Sequence, residues 1–240
     1  MGVTVMADAS SLPKYIQVSE MLIREIAADH LADGARLPPE RDMAVELGIS
    51  VGTLRKALRD LANKGMLERV QGSGNYVRHQ TGVASVYAFF RLELAGGGGL
   101  PTARVMSVDR LPKEGGMPAF GPSADGHRIR RLRSLDRHVI ALEEIWLDAS
   151  YREVVTADDL SESLYHFYRH GLGLVIGSAV DEIGVAVVPD WGGVTFPVQA
   201  GDAAGYIERV SFDASGTAAE YSRTWFDYNK ARYISRIGKG

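Results

Sequence analysis

The stretch LGISVGTLRKALRDLANKG, residues 47–65, decides how the first third of the chain folds. From Val51 onward each residue of a helix turns by about 100°, so Leu54, Ala57, Leu58 and Leu61 fall on one face. Gly52, Arg55, Lys56 and Arg59 fall on the other. Ser50 stands where an N-cap belongs, and Gly65 ends the helix. A shorter helix over residues 39–47 precedes it, with Met43, Ala44 and Leu47 inward and Gly48 as its stop. Two short helices joined through residues 48–50 make a helix-turn-helix. Working outward, Pro13 opens a first helix over residues 13–31, with Ile16, Ile23, Ile26 and Ala27 as its apolar positions. On the other side, residues 66–70 and 75–77 are short β-type runs separated by Gln71-Gly72-Ser73-Gly74, which reads as a small hairpin, or wing. A basic face alone is an ordinary solvated helix surface. Combined with the turn and the wing it has the geometry of a recognition helix entering a DNA major groove.

The chain has 240 residues, 45% hydrophobic and 24% charged, with a net charge of −3. That is room for two ordinary globular domains. The charge is unevenly placed. Residues 50–78 carry Arg55, Lys56, Arg59, Lys64, Arg69 and Arg78 against Asp60 and Glu68, whereas residues 79–240 hold 17 positive and 20 negative side chains. A basic patch on an acidic protein suggests a localised polyanion site. With no cysteine, disulfides, thiol catalysis and cysteine-based zinc sites are excluded. The most apolar stretch, residues 171–180, is shorter than the roughly 20 residues that span a bilayer, and residues 1–11 lack a basic start with an apolar run. The expectation is a cytoplasmic, nucleoid-associated protein without a membrane partner.

Residues 13–78 resemble the GntR family of bacterial regulators. The motifs are Leu37-Pro38-Pro39-Glu40-Arg41, then residues 47–58 as quoted, Gly65-Met66-Leu67, and Gln71-Gly72-Ser73-Gly74-Asn75-Tyr76-Val77. The resemblance implies that Arg41 and Arg55 approach bases and phosphates in the major groove. It also implies that Gly72 lets the wing backbone come close in the minor groove. With the start of the recognition helix, its basic face and the wing arginine, the DNA-contacting set is Arg41, Ser50, Val51, Gly52, Thr53, Arg55, Lys56, Arg59, Arg69 and Gly72. Pro39 replaces the family's usual serine cap, and Val51 its usual arginine. Valine offers apolar contact, for instance to a thymine methyl, where arginine would grip a guanine, so the expected operator departs from the commonest half-site.

After a linker at residues 79–84, the remainder reads as an α+β domain on an antiparallel sheet, residues 85–240. Strands are expected over residues 85–94, 103–109, 128–135, 139–147, 174–188, 204–212, 218–228 and 233–237. A helix is expected over residues 162–170, with Ser161 as cap and Gly171 as stop. Arg131 and Arg133, two apart on a strand, share a face and offer paired donors to a carboxylate or phosphate. This half resembles the UTRA effector-binding domain of the HutC branch, which has a chorismate-lyase-like fold. The carriers are Arg131-Leu132-Arg133, Ala141-Leu142-Glu143, Ser163-Leu164-Tyr165, Ile207-Glu208-Arg209-Val210, and Ala219-Glu220-Tyr221-Ser222 with Arg232-Tyr233. Residues 189–199 depart from it. The resemblance implies an effector site of Arg131, Arg133, Glu143, Ser163, Tyr165 and Glu220, and from those side chains a small, polar, anionic metabolite. Alternatives stand beside it: an arginine paired with Glu143 across neighbouring strands, Ser163 as an early helix residue, and Tyr165 in the core, which for Tyr165 is the better reading. Trp146, Trp191 and Trp225 read as packing.

The expected function is therefore a DNA-binding transcriptional regulator, a repressor, acting as a homodimer on a palindromic operator and modulated by the effector. Neither an enzyme nor a cofactor is called for. A catalytic domain of chorismate-lyase-like fold and a DNA binder without ligand are the rivals. His166 and His170 stand at metal-ligand spacing, but Arg169 lies between them, and exposed helix histidines are the better reading. Glu143 and Glu144 are adjacent on a strand and point apart, which rules them out as an acid/base pair.

Overall fold

The computed structural model describes residues 12–80, 87 and 89–236. They divide into two compact units, residues 12–100 with 233–236, and residues 101–232.

The first unit contains α1 (Lys14–Ala27), α2 (Glu40–Glu46), α3 (Val51–Asn63), and the hairpin of β1 (Leu67–Val70) and β2 (Gly74–Val77). Its core is built from the apolar face expected of α3, with Leu54, Ala57, Leu58 and Leu61 buried against Val18, Leu22, Ile26, Met43 and Ala44. Helix α1 stops at Ala27, short of the expected end, and Asp29 turns the chain at φ 60°. At the buried junction of α1 and α3, Ser19 donates to Asp60 at 2.5 Å and Lys64 reaches the buried Glu20 at 3.4 Å. The expected linker lies largely outside the described residues, as do residues 85, 86 and 88 of the strand expected over 85–94; among the described ones only β3 (Leu92–Leu94) forms there, shorter than expected. The segment from Phe90 to Gly99 packs on α1. Arg24 donates to the carbonyls of Leu92 at 2.6 Å and Gly99 at 2.8 Å, and Arg236 closes on Glu93 with two bonds. The buried guanidinium satisfies carbonyls that a strand too short to pair them would leave exposed.

The second unit is a six-stranded antiparallel sheet in the order β4-β5-β6-β9-β8-β7. Its strands are β4 (Pro101–Pro112), β5 (Asp125–Leu135), β6 (His138–Asp148), β7 (Ile176–Val187), β8 (Ala203–Asp213) and β9 (Ala218–Phe226), and β10 (Ala231–Tyr233) follows. The register aligns Arg131 with Glu143, Leu147 with Glu220, and Glu220 with Ser211, so these side chains share one face. The opposite face carries two apolar clusters, one around Leu142, Trp225 and Phe196, the other around Trp146, Tyr221 and Phe120. Trp191 meets Trp225 edge-on, with ring centres 5.9 Å apart. All three tryptophans pack.

Helix α4 (Leu164–Phe167) continues as a wider turn, Tyr168–Leu172, and ends at Gly173 with φ 68°; the expected stop at Gly171 is two residues early. The expected cap is also displaced. Ser163, not Ser161, accepts from the backbone of His166, at 3.3 Å, while Ser161 donates to the Ser163 carbonyl. Residues 190–195, where the resemblance fails, form a 3-10 turn broken at Gly193.

Candidate DNA interface and polar cluster

On α3, Arg55, Lys56, Arg59 and Gly52 are exposed, as are Arg41 on α2 and Arg69 on β1. One basic surface therefore runs from α2 across the recognition helix to the wing. Ser50 caps α3, accepting from the Thr53 backbone at 3.1 Å while the two hydroxyls bond at 2.9 Å. Both side chains are thus engaged in holding the helix start. Val51 is half-buried and packs against the core, so only part of it is left to meet a base. Gly72 sits at φ 75° with open space around it: the turn itself needs glycine, and the tip is free to approach a groove.

Glu40, at the start of α2, is a residue of this surface that the sequence reading missed. It accepts from Arg55 at 2.6 Å and from Arg69 at 3.0 Å, tying the recognition helix to the wing. A phosphate could accept from the same two guanidiniums that Glu40 now holds. Exposed pairs of this kind contribute about 0–1 kcal/mol, weak enough to exchange for a phosphate.

In the sheet unit, the six effector candidates fall into two adjoining sets. In the first, Arg131 donates to Glu143 at 2.7 Å, Arg133 forks onto the same carboxylate with two bonds at 3.0 Å, and Arg133 also reaches the Glu162 carbonyl. All three side chains are buried. Burial would push the Glu143 carboxyl up, but the two guanidiniums outweigh it and bring it down to about 2. The cross-strand ion pair therefore exists, and Glu143 is a counter-ion more than a free acceptor. Arg131 is left over-provided: its Nε and Nη1 are buried with no acceptor among the described residues. Buried N–H groups of this kind cost about 1–3 kcal/mol each until something accepts from them.

In the second set, Glu220 receives Ser211 at 2.9 Å, Tyr168 at 2.5 Å and Tyr165 at 3.3 Å. Burial raises its pKa, and the hydroxyl donors and Arg209 only partly offset this. Burial, with Glu220 beside it, also raises that of Tyr165. Arg131 lies within electrostatic reach of both Tyr168 and Glu220, which joins the two sets. Arg209, half-buried, forks onto Asp181 of β7 at 2.5 and 2.7 Å. Tyr168, Ser211 and Arg209 were not singled out as site residues. Tyr168 follows Tyr165 by one helical turn, and Ser211 follows Arg209 by one strand repeat, which is the signal that could have found them. Ser163 is buried and serves as the cap already described.

His166 on α4 and His170 in the wider turn after it lie with ring centres 4.1 Å apart. Among the described residues no group of three or more potential ligands gathers to hold a metal, and no helix is long and apolar enough to cross a membrane.

Comparison with known proteins gives two family matches, "Bacterial regulatory proteins, gntR family" over residues 14–77 and "UTRA domain" over residues 97–232. The HTH-type transcriptional regulator SmoD of Agrobacterium fabrum is 55% identical over 95% of this chain and 97% of its own. The mannosyl-D-glycerate transport/metabolism system repressor MngR of Escherichia coli is 25% identical over 92% of this chain and 94% of its own. Among solved structures, the possible transcriptional regulator YydK of Bacillus subtilis shares the fold at a TM-score of 0.53 and 22% identity, covering 95% of this chain and 100% of that one.

Proposed function

This chain belongs to the GntR family and carries a UTRA domain, and from that premise we propose that it represses transcription as a homodimer on a palindromic operator, released by a hydroxylated anion. It is a DNA-binding regulator whose DNA-binding head is followed by an effector-binding domain. One recognition helix reaches only a few base pairs, so two heads on two half-sites are required for specificity, and twofold protein calls for twofold DNA. Its place is the cytoplasm, at the nucleoid. The DNA-reading part lies within residues 1–78 and the receptor within residues 85–240, with no catalytic step.

The observation that carries the effector reading is Arg131: a buried guanidinium with Nε and Nη1 unaccepted, next to a carboxylate, Glu220, that three hydroxyls surround. The free N–H groups call for an oxyanion, and Glu220 with its tyrosines for hydroxyls. A sugar acid, a glycoside of a hydroxy acid or a sugar phosphate has both, and the name of the relative MngR includes one such compound, mannosyl-D-glycerate.

The test is selection of genomic fragments by the purified full chain, followed by titration of the retained DNA with gluconate, glycerate glycosides and hexose phosphates. We expect a palindrome upstream of a few genes, a half-site differing from the common one at the base facing Val51, and release by one anion class. DNA affinity that stays unchanged while such an anion demonstrably occupies the sheet domain overturns the repression mechanism.

A further inference from the structure

The wing has a third strand, and on it a basic side chain that the DNA surface described above does not include. Residues 35–37 run beside β2. Leu37 donates to the Asn75 carbonyl at 2.9 Å, Val77 donates to that of Ala35 at 2.9 Å, and Arg36 stands opposite Tyr76. Tyr76 in turn stands opposite Glu68, and Asn75 opposite Arg69. Cross-strand partners share a face and successive residues alternate. Arg36 therefore lies on one face of the wing with Tyr76 and Glu68, and Arg69 on the other, where Glu40 meets it.

Arg36 is exposed, and its guanidinium lies over Gly74 at the hairpin tip. A side chain begun at Gly74 would start 3.1 Å from the Arg36 Nε, so glycine there, at φ 144°, both allows the turn and leaves the arginine its place. Charge pairing also sets Arg36 apart. Between residues 30 and 80, Arg55 and Arg69 share Glu40, Lys64 meets Asp60, and Arg78 closes on Glu68. The remaining arginines and lysines of that span, Arg36, Arg41, Lys56 and Arg59, have no carboxylate partner among the described residues. Arg41, Lys56 and Arg59 already belong to the expected DNA surface, and Arg36 is their counterpart on the wing.

We infer that Arg36 is a DNA-contacting residue: with Gly72 over the floor of the minor groove, Arg36 and Arg69 on the two faces of the wing take phosphates from the two strands that wall it. The inference rests on the DNA-reading role of the head and adds the second wall. A phosphate by itself carries no sequence information. The distance between the walls does, because A-tracts narrow the minor groove and strengthen its negative potential. A wing with a guanidinium on either side favours a narrow groove, so the operator should carry an A·T-rich run where the wing sits. Lysine at this position would supply the charge without the planar fork that fixes the geometry.

The test uses the purified full chain as parent, Arg36→Ala and Arg36→Lys. Each selects from a pool of random duplexes, which are sequenced, and affinities for the recovered duplex and for random duplex are measured by anisotropy at several salt concentrations. For Arg36→Ala we expect about tenfold weaker binding and a slope of log K against log salt shallower by about 0.9 for each head. The A·T preference at the wing should be lost and the bases facing α3 unchanged. Arg36→Lys should restore the slope but not the A·T preference, and both variants should melt with the parent. An Arg36→Ala protein that keeps the parent's slope, or its A·T run, overturns the inference. A recovered operator without that run does the same. So does an Arg36→Ala protein that melts earlier or loses base preference under α3, because the side chain then supports the fold of the head. A parent that selects no sequence removes the operator reading, while the slope on random duplex still decides whether Arg36 touches phosphate.

Discussion

Glu40 decides how the free head behaves, because two of the arginines expected on DNA share its carboxylate. Replacing it by glutamine leaves both guanidiniums unopposed, and attraction to phosphate carries no sequence information. Glu40→Gln should therefore tighten binding to random DNA several-fold more than binding to operator, measured by fluorescence anisotropy at two salt concentrations; equal tightening on both would remove the gatekeeping role. Arg55→Ala should cost about 1–3 kcal/mol of operator affinity and loosen base preference. In the sheet, Glu143 holds two buried guanidiniums, and removing one partner of a buried pair costs about 3–5 kcal/mol. Because its folded pKa is depressed from 4.5 to about 2, its contribution is complete above 4.5 and disappears as pH falls through about 2. The stability gap between the parent and Glu143→Gln should accordingly close on acidification across that window in denaturant titrations. Glu220, raised by burial, acts in the opposite sense: its ionised form is the costly one, so acid relieves it. A gap that is constant with pH would mean that Glu143 is not ionised in the fold.

At the scale of elements, the recognition helix and the wing are held by local chemistry, and it can be tested locally. Ser50→Ala should cost about 1 kcal/mol by freeing the Thr53 backbone N–H. Gly72→Val forces a β-branched residue to φ 75° and should cost about 1–2 kcal/mol in thermal melts of the head, with loss of operator affinity. A Gly72→Val protein that melts like the parent would place the glycine's importance in the groove alone. The same locality explains what the sequence discloses. Leu54, Ala57, Leu58 and Leu61 repeat within one helix, so their burial follows from spacing, and the alternation of β5 and β6 likewise places Arg131 opposite Glu143. Glu40 was hidden because its partners lie 15 and 29 residues away on other elements. Tyr165 and Ser211 are 46 residues apart and meet only once the sheet is assembled under α4. The choice between Ser161 and Ser163 as cap turned on backbone direction, to which two serines two residues apart give no clue.

For the whole molecule, repression requires that the anion favour an arrangement in which the two heads no longer match the operator, and linkage makes the coupling reciprocal: operator weakens the anion by the same factor. Titrating the anion with and without operator should return equal ratios; unequal ratios would mean a third state. Arg209 gives this scheme a further property. It lies between Tyr165, to which it is hydrogen-bonded, and Asp181 on the edge strand β7. An anion that draws Arg209 toward Tyr165 and Glu220 loosens its hold on Asp181, which carries the signal from the site out to β7. Occupancy of one pocket then changes the threshold of the other, giving a switch steeper than a simple saturation curve: a Hill coefficient between 1 and 2 for two sites, falling to 1 in Asp181→Asn. The gene under such control would respond to a narrow band of metabolite concentration instead of following it in proportion.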